Sequence, residues 1–147
     1  MRAVAVWDFE GEFFFGDAPE LDRHFETIKA RAQQQGIRYL VLRFKRVRNP
    51  NVVCIERLEH FLRDAQRDGP IILLAGLRPT LRHVLSNLRF TGWYPADRFF
   101  SEEHETWSAT VRAARHAYAQ LGASNTCPHC ARHLHAEQRP TDLYYLV

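Results

Sequence analysis

The spacing of apolar residues changes along the chain, and each change marks a new predicted element. Residues that are apolar at every third or fourth position predict helices, and short apolar runs predict strands. The first helical face consists of Leu21, Phe25, Ile28 and Ala32. The run Ile-Ile-Leu-Leu-Ala at residues 71–75 is apolar at every position, which is typical of an interior strand in a parallel sheet.

The predicted elements follow one another in the order β-β-α-β-α-β-α-β-α. The predicted strands cover residues 4–9, 12–15, 39–44, 71–75 and 98–100. The three later helices have the apolar faces Ile55/Leu58/Leu62/Ala65, Leu81/Val84/Leu85/Leu88 and Trp107/Val111/Ala114/Tyr118/Leu121. Ser101, which precedes three glutamates, is expected to cap the last helix. Helices that alternate with apolar strands predict an α/β fold, with a mostly parallel central sheet of about five strands.

The length of 147 residues fits one domain with a small appendage. Because Gly122 begins a run of small and polar residues, the predicted domain covers residues 3–121 and the predicted tail covers residues 122–147. The longest uncharged apolar run, residues 70–77, is far shorter than the roughly 20 residues of a membrane helix. We expect no secretory leader at Met1, because no basic segment followed by an apolar run and a small-residue cleavage site is visible there. Three cysteines are too few and too unevenly placed for a disulfide framework, so we expect a cytoplasmic chain.

Basic residues cluster at the end of the third predicted strand, in a chain whose formal net charge is +3. The cluster consists of Arg43, Lys45, Arg46 and Arg48. Such a cluster attracts acidic lipid headgroups, an acidic protein partner or nucleic acid, or it is simply a solvated strand end. Nucleic acid would require a wider basic face with interleaved aromatic residues, which the sequence lacks.

A rarer pattern occurs near the start of the chain, where residues 9–18 read FEGEFFFGDA and fit the gapped motif FxGxxFFGxA. This pattern resembles the start of a STAS domain of the type carried at the C-terminus of SulP-family anion (sulfate) transporters. The resemblance extends over residues 3–121. It implies the STAS fold, in which helices pack mainly on one side of the sheet. It also implies a non-catalytic regulatory domain that acts through protein–protein interaction.

The loop before the second helix differs from that of the phosphorylated members of this family. Those members carry an Asp, then a Ser or Thr two places later, then a Gly; here the matching residues are Asn51, Val53 and Cys54. Since valine has no hydroxyl group, no phosphorylation site is expected at Val53. Asn51 is expected to cap its helix, and Val53 and Cys54 are expected to pack. The predicted interaction loop consists of Arg46, Arg48, Asn49, Asn51 and Val53.

The resemblance implies that this chain is the cytosolic part of a longer transporter for sulfate or another inorganic anion, at the cytoplasmic face of the cell membrane. The expected partners are the transmembrane domain of that transporter, another STAS copy or a cytosolic regulatory protein. Two other functions stay open: a freestanding signalling protein similar to the anti-sigma factor antagonists, and a zinc- or thiol-dependent protein that uses the tail. Val53 and the aromatic run argue against the first of these.

Motifs for catalysis are missing from the sequence: it contains no nucleophile elbow, HExxH, phosphate-binding loop or dinucleotide fingerprint. We therefore expect no catalytic residue, no enzyme activity and no cofactor for the STAS-like domain. The tail is different, because Cys127 and Cys130 form a CxxC that is followed by His133 and His135. Two thiolates and two imidazoles are a ligand set that zinc prefers. A redox-active CxxC and an extended tail with reduced cysteines are the alternatives.

Overall fold

A computed structural model describes residues 3–9, 18–47, 50–102 and 108–124 of the chain. The strands are β1 (Val4–Asp8), β2 (Tyr39–Arg43), β3 (Ile71–Leu77) and β4 (Phe99–Ser101). The helices are α1 (Ala18–Gln35), α2 (Val52–Asp68), α3 (Pro79–Asn87) and α4 (Ala109–Leu121), and a short 3₁₀ turn, Gly122–Ser124, follows α4. Within the described residues, no helix combines the length and apolar character needed to cross a bilayer.

The four described strands form one sheet in the order β1-β2-β3-β4, and every neighbouring pair is parallel. Each crossover contains a helix, as parallel neighbours require. The prediction of an α/β fold with a mostly parallel sheet is therefore confirmed. The described sheet has four strands rather than about five, because the predicted strand at residues 12–15 lies outside the described residues.

One face of the sheet is covered by α1, α2 and α3, and its core holds most of the large side chains. The first predicted helical face is buried as expected: Leu21, Phe25, Ile28 and Ala32 all belong to this core. The rings of Phe25 and Phe61 stack with their centroids 4.5 Å apart, which joins α1 to α2. Burial of this apolar area is the main stabilising contribution of the face.

Among the described helices, only α4 covers the opposite face. Val41, Leu73 and Ala75 of the sheet pack against Ala113 and Ala117 of the helix, and all five are buried. The alanine side chains allow the helix axis to approach the sheet closely. In the described part of the chain, three helices lie on one face and one helix lies on the other, which confirms the expectation that helices pack mainly on one side.

The predicted start of the last helix is wrong. Ser101 does not cap a helix; it is the last residue of β4, and its hydroxyl accepts a hydrogen bond from Arg82. Helix α4 begins at Ala109, where Ser108 Oγ accepts a hydrogen bond from the N–H of Val111 at 3.3 Å. The reason is that pairing of β4 with β3 outweighs the local capping signal.

Candidate interaction surface at the carboxyl edge of the sheet

Because all four strands are parallel, their carboxyl ends meet at one edge, which we call the carboxyl edge. The segments that follow β2, β3 and β4 lie here, and α2 and α3 begin here. Helix N-termini carry partial positive charge, so this edge attracts negative groups. In parallel α/β sheets, the edge at the carboxyl ends of the strands is where binding residues usually gather.

The segment after β2 is held in place by two buried side chains, Phe44 and Val47. The N–H of Phe44 donates to the carbonyl of Ala75 at 2.8 Å, and the N–H of Val47 donates to the carbonyl of Phe44 at 3.0 Å. The ring of Phe44 also stacks on Phe9, with the centroids 5.3 Å apart. The segment is therefore fixed on the sheet up to Val47.

Gly76 in β3 lets the same segment approach the sheet closely. Its φ is +71°, and a Cβ at this position would lie 3.0 Å from the backbone nitrogen of Lys45. Arg78 adds a second link, since its Nε donates to the carbonyl of Lys45 at 2.9 Å. A glycine is needed here for both reasons: the left-handed conformation and the space that Lys45 occupies.

Two of the basic residues in the predicted cluster pair with carboxylates of the same chain. Lys45 Nζ lies 3.2 Å from Glu102 Oε1, and Arg43 Nη1 lies 3.1 Å from Asp8 Oδ2. Arg46 is exposed at the surface of the loop. The cluster is thus mainly a set of contacts between strand ends, and Arg46 is its exposed member in the described part of the loop.

Asn51 caps α2 as expected. Its backbone is extended, with φ −84° and ψ 137°, and its Oδ1 accepts a hydrogen bond from the N–H of Val53 at 2.9 Å. This contact satisfies one of the backbone donors that the first turn of a helix leaves without an intrahelical partner. The amide of Asn51 is therefore used in capping rather than held open for a ligand.

The first turn of α2 exposes two apolar side chains, Val52 at 55% and Val53 at 46%. The expectation that Val53 packs is wrong, whereas the expectation for Cys54 is confirmed: Cys54 is buried, and its burial raises the pKa of the thiol. The reason is helical geometry. Cys54 lies four residues before the buried Leu58 and shares its face, but Val53 lies five residues before it, roughly 140° around the helix.

A third large apolar side chain is well exposed among the described residues: Leu88, at 40%. It was expected to face the core with the rest of α3, and that expectation is wrong. Helix α3 ends at Asn87, so Leu88 no longer follows the helical face of Leu81 and Leu85, which are both buried. Leu88 lies at the other end of α3, away from the carboxyl edge.

Of the predicted interaction loop, the structure places Arg46, Asn51 and Val53 at the carboxyl edge, and Arg48 and Asn49 lie outside the described residues. Sequence reasoning missed Val52, although the helical period set by the buried face of α2 would have indicated that its first turn is exposed. The surface consists of two valines, a capped helix N-terminus and an exposed arginine. Such a surface is suited to binding another macromolecule through apolar contact with the valines. The positive helix N-terminus and the arginine favour a partner that carries acidic groups around that contact.

The proposed zinc ligands Cys127, Cys130, His133 and His135 lie outside the described residues. In the part of the chain that the structure describes, no group of three or more His, Cys, Asp or Glu side chains is arranged to hold a metal ion.

Comparison with known proteins identifies the family to which this chain belongs. The sequence profile of the STAS domain matches residues 2–106, so the chain belongs to the STAS domain family. Among solved structures, the chain is similar to a sulfate transporter family protein from Wolinella succinogenes, with a TM-score of 0.63 and 22% sequence identity over 81% of this chain and 88% of that chain. At this identity the likeness establishes the fold alone. No curated protein sequence matched the chain.

Proposed function

We propose that this chain is the non-catalytic regulatory STAS domain of a SulP-type transporter for sulfate or another inorganic anion. The observation that carries the proposal is the STAS profile match over residues 2–106. The fold shared with a sulfate transporter family protein supports the same context. The domain acts at the cytoplasmic face of the membrane, as part of a longer transporter, and needs no cofactor.

The carboxyl edge is the surface through which the domain acts. Val52 and Val53 supply apolar area that becomes buried on contact, at about 25 cal/mol per Å². The N-terminus of α2 and the exposed Arg46 favour acidic groups around that contact. The partner is the membrane domain, a second STAS copy or a cytosolic regulatory protein, and contact with it shifts the balance between more and less active transporter states.

Regulation by contact differs from regulation by phosphorylation at this position. Val53 is exposed at the first turn of α2, where a serine would be accessible to a kinase, but valine offers no hydroxyl group. The apolar side chain is permanently available for contact. This property supports the transporter domain over the freestanding antagonist, whose switch depends on adding charge at this place.

The experiment reconstitutes the transporter in vesicles with and without this chain. The membrane domain is taken from the reading frame or operon that encodes the chain, and uptake of radiolabelled sulfate is followed together with chloride and bicarbonate as competing anions. We expect the rate of uptake to change at least severalfold when the chain is removed. Equal rates with and without the chain would contradict the proposal, and a gene without any associated membrane-spanning segments would favour the freestanding alternative.

A further inference from the structure

Three arginines gather at the part of the carboxyl edge where β3 and β4 end, and we call them the arginine cluster. Arg78 precedes α3, Arg82 lies one turn further along it, and Arg112 lies near the start of α4. Lys45 approaches the same place from the segment after β2, and it pairs with Glu102 at 3.2 Å. Four cations and one carboxylate leave three net positive charges among these described residues. The proposed regulatory contact does not use them.

Two of the arginines reach one residue, Ser101, from opposite faces of the sheet. Arg82 Nη1 donates to Ser101 Oγ, and Arg112 Nη2 donates to the carbonyl oxygen of Ser101. Ser101 is buried, so the end of β4 holds both guanidinium groups in place. Their charges therefore lie within about one Debye length, roughly 8–10 Å, and repel each other.

Arg78 and Arg82 keep most of their hydrogen-bond donors available. Each guanidinium group carries five N–H donors. Bonds to described residues use one donor in each: Arg78 Nε bonds to the carbonyl of Lys45, and Arg82 Nη1 bonds to Ser101. Among the residues that the structure describes, no carboxylate forms an ion pair with Arg78 or Arg82. Since the two arginines are four residues apart at the start of α3, they lie on the same side of the helix.

The chemistry of the arginine cluster selects a particular kind of anion. A guanidinium group presents its N–H donors as a planar fork, which suits the oxygens of phosphate-like groups. A tetrahedral oxyanion carries oxygens on several sides and can accept from two guanidinium groups at once, whereas a halide offers a single centre. Three net positive charges also favour a doubly charged ion over a singly charged one.

We propose that the arginine cluster binds a free, doubly charged tetrahedral oxyanion of the sulfate or phosphate type. The anion lies beside the first turn of α3, between Arg78 and Arg82, and Arg112 adds attraction from the far side of Ser101. Binding offsets the repulsion between the arginines that meet at Ser101. The anion therefore also strengthens the link between α3, β4 and α4.

The test is an NMR titration of the full chain with sodium sulfate, in which sodium chloride keeps the ionic strength constant. We expect the amide signals of Thr80, Leu81 and Ser101 to shift and then to saturate, as the filling of one site requires. Arg82→Gln should weaken the affinity about tenfold or more, because it removes a charge-assisted hydrogen bond. The spectrum also shows whether the variant is folded. Shifts that do not saturate in the wild-type chain would overturn the proposal.

Arg67→Gln is the matched control for this titration. Arg67 is exposed in the last turn of α2, at the other end of the domain, so its loss changes the net charge equally but leaves the cluster intact. This variant should bind sulfate as the wild type does. Equal affinity in Arg82→Gln and Arg67→Gln would overturn the assignment to the cluster.

Sedimentation with lipid vesicles distinguishes the free ion from the same group on a lipid. The vesicles consist of phosphatidylcholine, with or without phosphatidic acid. We expect Arg82→Gln and Arg67→Gln to sediment equally with both kinds, because a free ion reaches the cluster without a bilayer. A selective loss of sedimentation for Arg82→Gln, without saturable sulfate binding by the wild type, would overturn the free-ion proposal and assign the cluster to a lipid headgroup.

Discussion

The two edges of the sheet differ in how they are built. The carboxyl edge is closed: Gly76, Lys45 and Arg78 tie the strand ends together, and two valines stand out from the surface. The opposite edge, where β2 and β3 begin and which we call the amino edge, is open, with a groove of about 640 Å³ between the C-terminal ends of α1 and α2. One parallel topology thus presents two protruding valines on a firmly held surface at one end and a concave groove at the other. Variants at each edge should therefore have different consequences.

The largest effect is expected at Gly76. Gly76→Ala forces a Cβ against Lys45 and a non-glycine residue into the left-handed region, so we expect a loss of about 2–4 kcal/mol in the free energy of unfolding. Gly92→Ala is the control, since a Cβ there would meet nothing within 4 Å. Urea unfolding of both variants measures the difference. Equal losses at the two glycines would mean that the carboxyl edge is not held by this close approach.

The second-largest effect on stability is expected from ionisation of Tyr94. Its side chain is buried, and its hydroxyl donates to the carbonyl of Ile72 at 2.5 Å, near the amino edge. Burial raises the pKa of Tyr94 to about 12, and the nearby Arg98 lowers it only in part. The folded state therefore holds the proton more tightly than the unfolded state, whose pKa is near 10. The stabilising contribution of the protonated phenol is complete below pH 10 and is lost as the pH rises toward 12.

We expect this loss to reach about 2–3 kcal/mol across that window, as a shift of about two pKa units implies. Thermal unfolding from pH 8 to pH 12, compared between the wild type and Tyr94→Phe, isolates the contribution from other titrating groups. The variant should lose stability less steeply above pH 10. If the stability of the two proteins fell in parallel between pH 10 and pH 12, the raised pKa of Tyr94 would not be the cause of the loss.

A smaller effect is expected at the cap of α2. Asn51→Ala removes the acceptor for the N–H of Val53 and should destabilise the domain by about 1 kcal/mol. Asn51→Asp keeps the acceptor and adds a negative charge at the helix N-terminus, so it should be as stable as the wild type or slightly more stable. Chemical denaturation of the pair measures this order. If Asn51→Asp were the weaker of the two, the capping role would be wrong.

The smallest effect on the domain is expected from removal of metal. If Cys127, Cys130, His133 and His135 bind zinc as predicted, metal analysis should find about one zinc per chain, and Cys127→Ser should lose it. A chelator should leave the thermal unfolding of residues 3–121 unchanged, because the predicted zinc ligands lie in the tail, beyond the predicted end of the domain at residue 121. Purified protein without zinc would contradict the tail prediction, and a lower melting temperature on chelation would contradict the domain boundary.

Much of the fold could be predicted from the sequence, because helical and strand periods are local signals. The face of Leu21, Phe25 and Ile28 is buried where the period indicates. Ser101 shows the limit: its capping signal is local, whereas its position in β4 depends on pairing with β3, far away in the chain. A period is also least informative where a helix ends, which explains the error at Leu88.

The candidate site could be predicted only in part. The family resemblance pointed to Arg46, Asn51 and Val53, and the structure brings them to one edge. The contacts that fix this edge, such as the ion pair of Lys45 with Glu102, join residues distant in sequence, and no local pattern reveals them. The groove at the amino edge depends in the same way on how two helix ends come together.

In the proposed function, Val52 and Val53 of the carboxyl edge carry the regulatory contact. The measurement is sulfate uptake by vesicles that contain the whole transporter, with either the Val52→Asp/Val53→Asp double variant or Leu88→Asp in this domain. Leu88 is the matched control because it is similarly exposed but lies away from that edge. We expect the double variant to behave like the transporter without the domain and Leu88→Asp to behave like the wild type. Wild-type uptake in the folded double variant, under conditions where deletion of the domain changes uptake, would contradict the claim.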